Sequence, residues 1–173
     1  MKASNALLSA LAVICLIALP AREARADKVP DHTPSTSLIL TVEGKAVTLS
    51  VADLNAMPQS TLVAHDAHTK LDESYTGVSL GALLAKYGFP VDKSTRDKML
   101  HGYLVAEGTD KYWVLFSVTE VEASEHTGDV IIATSMGGKP LGDDGQFRLI
   151  DNADKKPERW VRNLSTITVK SSE

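Results

Sequence analysis

The sequence is poor in cysteine: it has one, Cys15, placed inside an apolar run near the N-terminus. That run, Leu7 to Leu19, is broken only by Ser9 and ended by Pro20. It is too short to cross a bilayer as a stable helix, which takes about 20 residues. No second apolar run follows, so nothing downstream reads as membrane-spanning. Lys2 ahead of the run and Ala24-Arg25-Ala26 behind it fit an export signal, residues 1–26, with a cut before Asp27. Bulky Ile14 before Cys15 argues against a lipoprotein signal. The expected mature chain is therefore exported, periplasmic or secreted, and free of cysteine. It cannot form a disulfide, although exported proteins often do. An apolar core has to stabilise it.

Positive charge is also in short supply. The formal net charge is −4, and losing Lys2, Arg22, Glu23 and Arg25 with the signal takes it to −6. An acidic chain is a poor ligand for nucleic acid or an anionic membrane surface. Missing as well are a nucleophile elbow, a Gly-rich phosphate loop and a dinucleotide fingerprint. There is no internal repeat and no low-complexity segment. A mature chain of about 150 residues can bury roughly 70% of its unfolded surface, enough for one domain.

What is present is a succession of short β signals with scattered helices. Residues 27–37 are polar, contain Pro30 and Pro34, and read as a flexible leader; residues 38–170 read as one module. Leu38 to Val42 and Ala46 to Ser50 flank Glu43-Gly44-Lys45 as a hairpin. Ser50 with Asp53 opens a short helix, Val51 to Met57, closed by Pro58. Thr61 to His65 reads as a strand and Asp66 to Ser74 as a polar loop. Ser79 caps a second helix, Leu80 to Tyr87, with Leu80, Leu83, Leu84 and Tyr87 at helical spacing. Gly102 to Glu107 and Tyr112 to Phe116 form a second hairpin, followed by a capping box from Ser117 to Glu120. Val130 to Ser135 is a strand, Gly137 to Gly145 a long loop, and Phe147 to Ile150 and Ser165 to Val169 the last strands. Many strands with short helices predict an α+β domain, mostly β, rather than a parallel βαβ sheet.

Four segments resemble, in order, the molybdopterin-binding domain of the sulfite oxidase family. They are Tyr75-Thr76-Gly77-Val78-Ser79-Leu80-Gly81-Ala82-Leu83-Leu84, Ala106-Glu107-Gly108-Thr109-Asp110-Lys111-Tyr112, Val130 to Leu141 with its Ser135-Met136-Gly137-Gly138-Lys139-Pro140-Leu141, and Asp144-Gly145-Gln146-Phe147-Arg148-Leu149-Ile150 followed by Arg159-Trp160-Val161-Arg162-Asn163-Leu164. The resemblance implies loops that hold a molybdenum cofactor, with a cysteine thiolate on the metal after an early strand. Here that position falls near Ala64 or His65, and the expected mature chain offers no cysteine. The cofactor-contacting arginine matches Arg148, and a later lysine matches Arg162. A loop histidine falls near Asp144, which puts negative charge where an anionic cofactor would lie. Molybdopterin is thus implied, but its metal-ligand cysteine is absent. The ligands and partners implied are a small anion, a pterin-like molecule or a redox partner protein.

The residues themselves offer two clusters. Arg148, Lys155, Lys156, Arg159 and Arg162 suit an anion pocket at the Gly137–Gly145 loop, since guanidinium grips oxyanions with paired hydrogen bonds. Ion pairing with Asp143, Asp144, Asp151, Asp154 and Glu158 explains them equally well. His65, Asp66 and His68 make a compact group at a strand end; it has too few ligands for a closed metal site, and no metal centre is expected. Trp113 and Trp160 read as core or lining. The expected function is a non-catalytic binding or accessory module, with cofactor-position residues Arg148, Arg162, His65 and Asp144. The alternative is a molybdenum oxidoreductase with an atypical ligand, for which His65 is the candidate.

Overall fold

A computed structural model describes residues 33–66, 70–89, 93–121 and 128–171. Two five-stranded sheets organise them. In the first, the order is β2 (Lys45–Leu49), β1 (Leu38–Val42), β10 (Leu164–Ser171), β5 (Gly102–Gly108) and β6 (Trp113–Ser117). Strands β1 and β10 run parallel and the other pairs antiparallel. The second sheet runs β3 (Ser60–Asp66), β4 (Leu71–Ser79), β7 (Val130–Met136) and β8 (Lys139–Pro140), with β9 (Arg148–Asp151) also pairing β7. Among the described residues the α-helices are short: α1 (Val51–Asn55), α2 (Leu80–Lys86) and α3 (Arg96–Leu100). The expected α+β, mostly β domain is what the chain forms. No helix among the described residues is long and apolar enough to cross a membrane.

Alternation along the strands builds the core. Leu38, Leu40 and Val42 of β1, Leu104 and Ala106 of β5, and Ile167 and Val169 of β10 turn to one side of the first sheet. They join Val78, Ile132 and Leu149 from the second sheet and Leu80, Leu83 and Leu84 of α2. The opposite face of the second sheet carries a separate cluster: Leu62, Ala64, Tyr75, Ile131, Ala133 and Ile150, covered by Leu141 and Trp160. The candidate site lies on this second face.

Several expectations change. The supposed loop from Asp66 to Ser74 is mostly strand: β4 begins at Leu71 and sits between β3 and β7. Its first half is too polar to show alternation, and pairing on both edges overrides that weak local signal. The turn into it places Lys70 at φ 58 and closes with Lys70 N–H donating to the Asp66 carbonyl at 2.7 Å. The loop from Gly137 to Gly145 contains the return strand β8 and a 3-10 turn, Gly142–Asp144. The end of the supposed leader is tied down: Gln146 N–H donates to the Ser35 carbonyl at 2.9 Å, and Ser35 is buried. Ser79 precedes α2 but makes no side-chain cap bond, whereas Ser50 and Asp53 complete a reciprocal capping box. Of the second expected box, Glu120 accepts from Ser117 N–H at 2.7 Å, while the Ser117 hydroxyl turns to Thr119. Helix α3 has no counterpart in the sequence reading; it buries only Met99.

Candidate functional site

β9 sets the site. Phe147 and Leu149 face the main core, so Arg148 faces the other way, into the cluster around Tyr75 and Trp160. It is 3% exposed. The guanidinium lies 5.2 Å from the Tyr75 ring centre and 5.4 Å from that of Trp160. Nη1 donates to Asp144 Oδ2 at 2.7 Å and to the Tyr75 hydroxyl at 3.1 Å. Nη2 stands 4.0 Å from Asp66 Oδ2. Nε is buried without a hydrogen-bond partner. A buried cation must be paired or it costs several kcal/mol, and here two carboxylates supply the pairing. Burial raises the Tyr75 phenol above its ordinary pKa, against the opposing pull of Arg148, so it stays protonated at neutral pH.

Asp144 does more than neutralise Arg148. Its Oδ1 lies 3.4 Å from Arg162 Nε, so one carboxylate spans two guanidiniums, one oxygen to each. The Asp144 carbonyl accepts from Asn163 N–H at 2.7 Å, which fixes the turn against the strand leading into β10. Arg162 is 55% exposed at its side chain and forms the outer lip. Between these groups lies a cleft of about 270 Å³, lined by Asp66, Asp110, Tyr112, Arg148, Trp160 and Arg162, with Pro157. Trp160 is held by its Nε1–H donating to the Asp151 carbonyl at 2.8 Å. Tyr112 donates its hydroxyl to the Glu158 carbonyl. A larger groove beside Ser35, Asn55 and Thr134 is lined by part of the Gly137–Gly145 loop but by none of Arg148, Arg162, His65 and Asp144.

The sequence-predicted residues thus divide. Arg148, Arg162 and Asp144 come together. His65 does not join them: β3 alternates Leu62, Ala64 and Asp66 inward and turns His65 outward, where Nδ1 meets Asp72 Oδ1 at 2.8 Å on an exposed surface. His65 and Asp66 project from opposite faces of β3, with Asp66 buried beside Arg148; His68, the third member of the expected group, lies outside the described residues. No group of three or more potential metal-ligating side chains occurs among the described residues. Of the other cations, Arg159 is structural. It grips Asp154 with two hydrogen bonds at 2.7 and 2.9 Å, reaches Glu120 at 2.7 Å and Asp151 at 3.3 Å, and covers the Phe116 ring. These contacts hold its proton even more firmly than usual. Lys156 makes only an exposed pair with Glu158 at 3.7 Å. Sequence reasoning did not assign Asp66, Tyr75, Asp110 or Tyr112 to this site. The period-two pattern Leu62, Ala64, Asp66 was the available signal for the first.

The donor set does not fit a molybdenum cofactor. The inward position on β3 is Ala64, a methyl group, and His65 projects from the opposite face. Asp144 already occupies the two arginines that an anionic cofactor would use. The cleft volume falls below the ~300–1,000 Å³ typical of pockets for drug-sized ligands.

No family model and no curated protein matches the sequence. Among solved structures, the sulfane dehydrogenase SoxCD from Paracoccus pantotrophus is similar, with a TM-score of 0.59 at 19% identity. The match covers 79% of this chain and 38% of that one, so the chain spans well under half the length of the protein it resembles. At that identity the likeness is one of fold: this chain shares its architecture with part of a sulfur-compound dehydrogenase.

Proposed function

We propose that this chain is an exported, non-catalytic binding module built on the sulfite-oxidase-type molybdopterin fold. In this reading residues 1–26 are a signal peptide and the mature protein works in the periplasm or outside the cell. The shared fold with SoxCD supports the architectural half of the reading. The observation that carries the functional half is the charge pairing at Arg148. The residue matching the family's cofactor arginine is buried, but its charge is met by Asp144 and Asp66 rather than left for a cofactor. What remains open to a ligand is the outer part of the cleft, where Arg162 offers a cation and Tyr112 and Trp160 offer aromatic walls. A small planar molecule carrying an oxyanion suits that surface: the anion pairs with guanidinium and the ring packs on aromatic area.

The probe is 6-carboxypterin, a single pterin ring with one carboxylate. Its fluorescence should be quenched saturably by the mature protein. Arg162→Gln should abolish the quenching while leaving thermal stability unchanged, since Arg162 is half exposed. No saturable quenching, or quenching indifferent to Arg162, would sink the reading.

A further inference from the structure

We propose that Asp144 is a built-in oxyanion that decides which ligands the cleft accepts: free oxyanions cannot displace it, whereas a planar ligand carrying one can. The inference rests on reading the Arg148–Arg162 cleft as the ligand site. The Asp144 carboxylate bridges the two guanidiniums, one oxygen to each, as a bound carboxylate would. It is delivered by the chain itself. Its backbone is pinned by Asn163 N–H, so it competes at a high local concentration that a free anion must exceed. Entry of a second anion meets two carboxylates in the cleft lining, Asp66 and Asp110, with Asp144 already paired to the two arginines that line it. Rejecting the wrong ligand by like charge is an ordinary route to specificity. Asp144 lies in a turn bounded by Gly142 at φ +65 and Gly145 at φ +80. A ligand therefore has to gain enough from Tyr112 and Trp160 to offset the displaced ion pairs. Acetate or phosphate alone gains nothing there.

The test removes the internal anion and asks whether an external one replaces it. In Asp144→Gly, acetate should raise the Tm relative to chloride at equal ionic strength. Titration should give a Kd for acetate at least about tenfold tighter than in the parent protein, the ratio that ~1.4 kcal/mol represents. Asp144→Asn keeps the side-chain volume and serves if the glycine variant fails to fold. It should bind 6-carboxypterin about tenfold more tightly, because the displaced group no longer carries charge. Equal effects of acetate on parent and glycine variant, or none on either, would overturn the proposal; so, where the parent binds 6-carboxypterin, would unchanged or weaker binding by the asparagine variant. If the parent fails to bind 6-carboxypterin while acetate rescues the glycine variant, the ligand reading falls and the role of Asp144 stands. If the parent binds and neither substitution matters, only the role of Asp144 falls.

Discussion

Arg148 holds its position because four neighbours share its charge and its plane: Asp144, Asp66, Tyr75 and Trp160. Replacing it with alanine would leave Asp144 and Asp66 without their common cation. Urea denaturation should show a loss of about 3–5 kcal/mol, the usual cost of breaking a buried ion pair by removing one partner. Arg148→Met, which fills the space, should lose no less charge pairing but less packing, and should fall at the lower end of that range. Tyr75 adds a pH dependence. Its folded-state pKa is raised above 10 by burial, so the stability from keeping the phenol neutral is fully present below the unfolded pKa. That stability is lost as pH rises through the folded value. Stability curves from pH 9 to 11.5 should therefore fall less steeply for Tyr75→Phe than for the parent. At this scale the sequence showed Arg148 as odd, a cation inside Phe147-Arg148-Leu149, and β alternation gave its direction. It did not show Asp66, whose partner is distant in sequence and reached only through the pairing of β3, β4, β7 and β9.

Elements with a complete local signal were legible; β4, which rests on tertiary pairing, was not. The hairpin β1–β2 follows from Glu43-Gly44, and α1 from Ser50 and Asp53, because both signals are complete within a few residues. Asp53 is held below its ordinary pKa by its bonds to Ser50, so this cap contributes above about pH 4 and is lost as pH falls below it. Ser50→Ala should cost about 1 kcal/mol at neutral pH by denaturant titration. By contrast β4 lacks a clean alternating pattern and exists because β3 and β7 flank it. Its register shifts between Thr76 and Gly77, where the backbones come so close that a Cβ on Gly77 would sit 2.0 Å from the Ile132 carbonyl oxygen. Gly77→Ala forces the two central strands apart. It should destabilise by more than about 3 kcal/mol or yield no folded protein, as judged by circular dichroism and thermal melting. The end of the leader shows the same dependence on distant partners. Ser35 looks solvent-bound in a Pro- and Thr-rich stretch, yet it is fastened by Gln146 and Asn163, more than a hundred residues away.

Across the whole molecule, the second sheet separates two tasks. One face belongs to the main core and the other carries the cleft. Side chains on the cleft face can therefore change with little effect on the face that defines the architecture. The central claim is that this donor set, with Ala64 inward on β3 and Asp144 across both arginines, binds without molybdenum chemistry. The most direct test is the molybdenum content of the mature protein after expression and export in a host that makes the cofactor. The account predicts no molybdenum above background in the purified protein. Near-stoichiometric molybdenum, retained through gel filtration, would contradict it.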